Sequence, residues 1–184
     1  MRIISGSAKG RTLKSPKGML TRPTLDRTRE SLFNILAGCT WEGAAVLDIF
    51  AGTGALGLEA LSRGAASCVF VDHHTPRLIR QNAELCSFGS RYEVYGMESG
   101  RALARLKGRT FQYIFADPPY NKNLVNDTIV LICQYGLLSS GGLILMEHSR
   151  NEEIPDNPLY EIIREKSYGK DTRITFIRSH QEGV

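Results

Sequence analysis

A chain of 184 residues, 42% hydrophobic and 23% charged, can bury one sizeable core and has ordinary globular usage, which excludes a disordered or fibrous protein. No apolar run reaches membrane-spanning length, and the basic, glycine-containing N-terminus lacks a secretory hydrophobic core, so a cytoplasmic protein without membrane association is expected. The net charge of +4 is unevenly spread: residues 1–30 carry eight Lys or Arg against two acids, a local +6, so the remainder sums to −2.

In chain order, Met1-Arg2-Ile3-Ile4-Ser5-Gly6 and Arg11-Thr12-Leu13-Lys14 flank the small-residue stretch Ser7 to Gly10, and the spacing predicts a short hairpin. Pro16 to Pro23 reads as loop. Thr24 is expected to cap a helix running to about Ala37, with Leu25, Leu32, Phe33 and Leu36 on one face and Gly38 past its end. A basic arm on a near-neutral body suits phosphate binding; its bland alternative is a solvated segment that aids solubility.

Ala45 to Phe50 is an apolar strand that runs into Ala51-Gly52-Thr53-Gly54-Ala55-Leu56-Gly57. Gly52, Gly54 and Gly57 fit G-x-G-x-x-G, a turn that lets a cofactor approach the backbone before a helix begins. The helix-forming Leu58 to Arg63 stops at Gly64, and Ser67 to Val71 makes a second strand ending at Asp72, where an acid suits a ribose diol. Asp48 separates two cofactor classes. It would repel the pyrophosphate of a dinucleotide, whereas the sulfonium and ammonium of S-adenosylmethionine are cationic and favour it. The alternatives are a solvated strand-end acid at Asp48 and a helix cap at Asp72, although Thr75-Pro76 suits the capping role better.

A third strand is expected near Tyr92 to Tyr95, followed by Gly96-Met97-Glu98-Ser99 and a helix containing Ala102, Leu103 and Leu106. Glu98 would contact a cofactor adenine, or Met97 would pack on it; Glu98 as a helix-start acid is the alternative. The apolar run Tyr113 to Ala116 ends in Asp117-Pro118-Pro119-Tyr120, at the strand end where open α/β sheets place their chemistry. The two prolines stiffen the turn. The Asp117 carboxylate and Pro118 carbonyl would bind both N–H groups of a planar amine, and Tyr120 would stack on its ring. Leu124 to Tyr135 reads as a helix and Gly142 to Glu147 as a fifth strand. Tyr160 to Tyr168 and Thr172 to Arg178, split by Gly169-Lys170-Asp171, read as a closing hairpin.

Cysteines at 39, 68, 86 and 133 lack C-x-x-C spacing, and histidines at 73, 74, 148 and 180 form no ligand cluster, so reduced thiols and no metal are expected. The chain shows no internal repeat and no second-domain boundary.

An acid and glycine loop at the first strand, an acid at the second and D-P-P-Y at the fourth resemble the Rossmann-like class I methyltransferases that use S-adenosylmethionine on an exocyclic amine. Arg2 to Gly6, Gly10-Arg11, Arg22-Pro23-Thr24, Asp26-Arg27, Arg29-Glu30, Phe33-Asn34 and the stretch Ala51 to Gly64 are similar to the bacterial RsmD family, which methylates N2 of guanine 966 in 16S rRNA. The resemblance implies an α/β fold with a seven-stranded, mostly parallel sheet, helices on both faces and an N-terminal hairpin and helix extension. It implies one domain over 1–184, with 1–40 binding substrate and 41–184 holding the cofactor. Asp48, Phe50, Ala51, Gly52, Thr53, Gly54, Gly57, Asp72, Met97 and Glu98 would then bind S-adenosylmethionine. Asp117, Pro118, Pro119 and Tyr120 would act on the amine, and Arg2, Lys9, Arg11, Arg22, Thr24 and Arg27 would hold RNA. The implied partner is 16S rRNA or the assembling small subunit, met by a monomer. Rival readings are a DNA adenine-N6 or protein-glutamine methyltransferase and a non-catalytic RNA-binding assembly factor.

Overall fold

The structure, a computed structural model, describes residues 1–16, 23–120 and 122–180, with backbone alone for 23–26. Five apolar runs form parallel strands: β1 Ala45–Ile49, β2 Ser67–Val71, β3 Tyr92–Tyr95, β4 Phe111–Ala116 and β5 Leu138–Ser149. The C-terminal hairpin supplies β6 Tyr160–Tyr168 and β7 Thr172–Ser179, and β7 pairs antiparallel with both β5 and β6. The order is β3-β2-β1-β4-β5-β7-β6, a seven-stranded, mostly parallel sheet of the kind the resemblance implies. The chain leaves the sheet's centre in opposite directions after β1 and after β4. A crevice therefore opens at the carboxyl ends of these two strands.

Side-chain alternation along the strands feeds two apolar layers. Val46, Cys68, Phe70, Phe115 and Leu145 pack beneath α1 Pro23–Ile35, α2 Ala55–Ser62 and α3 Pro76–Leu85. Leu47, Ile49, Val69, Val71, Ile114 and Met146 pack beneath α4 Ser99–Arg105 and α5 Leu124–Gln134. Burial on both faces explains why these strands read as continuous apolar runs.

The N-terminal segment closes the α1 face. Arg2 bridges Thr12, the Ile3 N–H donates to the Arg11 carbonyl at 2.9 Å and the Leu13 N–H to the Met1 carbonyl at 3.0 Å. Ile3 and Leu13 are buried in the core, so the expected hairpin is packed onto the body.

Both ends of α1 differ from expectation, and β5 begins at Leu138 and ends at Ser149, beyond the expected Gly142 to Glu147. The helix begins at Pro23, with Thr24 inside its first turn, because a proline's fixed φ suits the first helical position. It gives way to a 3-10 turn at Leu36–Gly38 in place of α-helix to Ala37. The side chains of Thr24 and Leu25, and the predicted loop over 17–22, lie outside the described residues.

Candidate active site

At the end of β1 the Asp48 side chain is buried, not solvated, and its Oδ2 accepts the Gly57 N–H at 2.9 Å. Burial pushes its pKa up to about 8; the Gly57 N–H opposes this and the nearby Asp72 charge adds to it. Between Asp48 and α2 the chain turns sharply, with positive φ at Phe50 (60°), Gly52 (56°) and Gly54 (79°). Gly57 is required for a different reason. A Cβ there would lie 2.5 Å from the Cys68 sulfur and the Phe70 ring, so only glycine lets α2 press onto β2.

Asp72, at the end of β2, ties this turn to the next. Its Oδ2 accepts the Gly52 N–H at 2.9 Å, and its Oδ1 accepts the N–H groups of His74 and Thr75, each at 2.8 Å. Thr75 occupies the cap position of α3, but its hydroxyl donates to the Gly52 carbonyl at 2.6 Å and makes no capping bond. Partial burial works to raise the Asp72 pKa; the donors from Gly52, Thr75 and His74 outweigh it and leave the carboxyl below its usual value. The two strand-end acids thus differ: near neutrality Asp48 is poised to titrate, while Asp72 stays charged.

Two lobes flank these acids. The outer lobe, 620 Å³, is lined by Asp72, His73, Met97, Glu98, the tetrapeptide Asp117 to Tyr120, and Lys122. The inner lobe, 370 Å³, is lined by Met1, Leu32, Asp48, Ala51, Gly52 and Thr53, among others. Phe50, Asp72, His74, Asp117 and Glu147 belong to both, so the lobes form one cleft. Glu98 leans toward His73, its Oε1 3.4 Å from the imidazole Nε2, and forms no side-chain cap on α4.

Asp117 follows β4 and stands where the lobes meet. It is open to the cleft yet walled by protein, and that wall, with the charges of Glu147 and Asp48, raises its pKa well above the carboxylate range. The Tyr120 hydroxyl lies 3.1 Å from Thr172 Oγ1 and donates to Glu147 Oε1 at 3.4 Å; burial and the neighbouring carboxylates push its pKa up to about 12.

Glu147 is absent from the sequence-derived site. It ends the predicted fifth strand much as Asp117 follows the fourth, so an acid at a second strand end was the available signal. Ala116 pairs in register with Met146, which makes Asp117 and Glu147 neighbours one position further along. Burial raises the Glu147 pKa and the Tyr120 hydroxyl opposes it.

The residues expected to hold RNA are spread more widely. Arg2, Lys9, Arg11 and Arg27 are exposed, and Arg22 lies outside the described residues. Arg2 and Lys9 line a separate 410 Å³ recess with Arg29 and Glu30; Arg11 and Arg27 line neither it nor the cleft. Arg29 is buried, donates to the Arg2 carbonyl and also lines the inner lobe, so the recess abuts the cleft. Among the described residues no helix is long and apolar enough to cross a membrane.

A family model described as Conserved hypothetical protein 95, the RsmD family, matches residues 1–177. The chain belongs to the RsmD family. It is 42% identical over 160 residues to YlbH of Bacillus subtilis, covering 85% of this chain and 86% of that one. It is 38% identical over 174 residues to Ribosomal RNA small subunit methyltransferase D of Escherichia coli, covering 92% and 86%. The solved structure of YhhF from Escherichia coli superposes with a TM-score of 0.84 at 36% identity, covering 98% of this chain and 99% of that one. The N-terminal hairpin and α1 of this RsmD-family chain lie within the matched region, so the comparison spans the basic arm as well as the cleft.

Proposed function

We propose that this protein methylates the N2 amine of a guanine in small-subunit ribosomal RNA, guanine 966 by family resemblance, using S-adenosylmethionine. The observation that carries this reading is the position of Asp117, which lines both lobes of one cleft. The cleft's chemistry fits the cofactor: the charged Asp72, with Asp48, Asp117 and Glu147 whose pKa values are raised, outnumbers the Arg29 guanidinium in a lobe that also holds Met1, Leu32 and Leu56. Such a lobe repels phosphate and accepts a cationic, partly apolar molecule.

Asp48 and the backbone from Phe50 to Gly54 would hold the methionine part, with Gly57 fixing that turn. Asp72 would accept from the ribose hydroxyls, and Met97 or Glu98 would meet the adenine. Bound there, S-adenosylmethionine would supply an electrophilic methyl carbon, with a neutral thioether as leaving group. Asp117 and the Pro118 carbonyl orient the two N–H groups of the amine, with Pro119 stiffening the turn. Tyr120 stacks on the extruded base, and the methylated nitrogen sheds one proton to Asp117 or water. Residues 1–40 form the RNA-binding extension and 41–184 the catalytic body, with Arg2, Lys9, Arg11, Arg22, Thr24 and Arg27 on the RNA. The likeness to Ribosomal RNA small subunit methyltransferase D supports ribosomal RNA as the substrate.

The deciding experiment incubates the protein with methyl-labelled S-adenosylmethionine and, separately, undermethylated 16S rRNA, small-subunit particles, DNA and protein, then maps the label. Label on guanine N2 is expected; label in adenine, or in DNA alone, would overturn the reading. Asp117→Ala is expected to lower methyl transfer by about a hundredfold or more while cofactor affinity changes only a few-fold. Near-normal turnover would remove Asp117 from this role.

A further inference from the structure

Resting on the guanine reading above, we infer that Glu147 is the residue that selects guanine, by accepting the N1–H of the target base beside the Asp117 that takes the reacting amine. An amine held by Asp117 and Pro118 alone does not identify its base, because adenine N6 and guanine N2 each present the same NH2 group. The neighbouring ring atom differs. Guanine N1 carries a hydrogen and donates, whereas adenine N1 bears a lone pair and accepts. A second carboxylate beside the first complements the run of donors on guanine and repels the adenine lone pair.

The structure provides that second carboxylate. Glu147 follows Met146, the partner of Ala116, so it lies beside Asp117, whose carboxyl feels its charge; alternation along β5 puts Glu147 on the α1 face with Leu145. It lines both lobes, so a base reaching Asp117 also meets Glu147. On its other side Glu147 pairs in register with Ile174 of β7, an apolar neighbour that cannot satisfy a carboxylate. Its Tyr120 contact, at 3.4 Å, occupies one oxygen and fixes the carboxylate next to the ring expected to stack on the base. Around it stand Asp117, Tyr120 and, through the tyrosine, Thr172, and the buried Arg29 lines the same inner lobe.

The test compares guanine with 2-aminopurine at the target position of an undermethylated small-subunit particle. 2-Aminopurine keeps the N2 amine and lacks the N1 hydrogen. Wild-type protein is expected to prefer guanine in kcat/KM by about tenfold to a hundredfold, the discrimination carried by one well-made base contact. Glu147→Gln keeps the side chain's size and an acceptor for Tyr120, but it can also donate to an unprotonated N1. It is expected to lose about tenfold or more on guanine and to shrink the preference by a similar factor, with binding of S-adenosylhomocysteine within a few-fold of wild type. Tyr120→Phe is expected to retain the preference whatever it does to the rate. Equal losses on both bases in Glu147→Gln, or collapse of the preference in Tyr120→Phe, would show that Glu147 serves only to hold the tyrosine. Should Glu147→Gln fail to fold, parity between the two bases in wild-type protein overturns the inference by itself. Failure of the guanine reading is recognised separately, as absence of guanine label in wild type, and it removes the inference too.

Discussion

At the scale of single residues, the cleft is notable for two strand-end aspartates in opposite states. Asp48 and Asp72 look alike in sequence, each an acid at or near the end of an apolar run. Asp72 receives three backbone N–H donors, whereas Asp48 receives one and lies in the core. With its folded pKa raised to about 8, Asp48 makes ionisation costly in the folded protein. Its stability contribution is fully present below the unfolded value near 3.8 and is lost as pH rises through about 8. Asp48→Asn keeps an acceptor for Gly57 and removes the titration. Denaturation of ligand-free protein is expected to find the variant gaining on wild type by about 2 kcal/mol or more between acid pH and pH above 8. Parallel stability curves would refute it. A cationic cofactor would favour the charged Asp48, so its binding near neutral pH should expel a proton.

At the scale of elements, α2 organises both the glycine turn and the N-terminal arm. Its first turn offers Gly57 N–H to Asp48, and its last turns hold the hairpin. Glu59 is fully buried and accepts the N–H groups of Ile4 at 2.7 Å and Ser5 at 3.0 Å, together with the Arg63 guanidinium at 2.8 Å. Ser62 accepts the Ala8 N–H at 2.9 Å, and Gly6 approaches so closely that a Cβ would sit 1.8 Å from the Ser62 carbonyl. Glu59→Ala leaves these donors without their acceptor and is expected to destabilise the protein by about 3 kcal/mol. Amide exchange should quicken first over residues 3–13. A melting temperature within a degree or two of wild type would remove Glu59 from this role. In sequence Glu59 was only one residue of a helix-forming run; its hairpin partners lie 54 and 55 positions away.

For the whole molecule, charge is divided between a basic arm and a cleft lined with acids. Under the proposed function, cofactor and RNA would be sorted by sign: the cationic cofactor in the cleft, and the phosphates on the exposed Arg2, Lys9 and Arg11. RNA affinity should fall steeply between about 50 and 200 mM salt. Replacing Arg2, Lys9 and Arg11 together with alanine should weaken binding across sequences and flatten the salt slope by roughly 0.7 to 0.9 for each phosphate no longer neutralised. An unchanged slope would place the RNA elsewhere.

The elements, the glycine turn and the acid after β4 were legible in the sequence because each is encoded within a few consecutive residues, by periodicity or by turn chemistry. The D-P-P-Y turn, the αL glycines and the strand-end aspartates are of this kind. The start of α1 was misplaced by two residues, Leu25 after a Thr24 cap in place of Pro23, because Thr24 and Pro23 both carry helix-start signals and local rules do not rank them. Tertiary structure alone decided which acids are buried and which face the cleft. It set Glu147 beside Asp117, thirty positions apart in sequence, through the register of β4 against β5. It also made Glu59 a clamp and packed the basic arm onto the body. Such partnerships depend on strand order and on which faces meet, and these are properties of the assembled sheet that no short window of sequence contains.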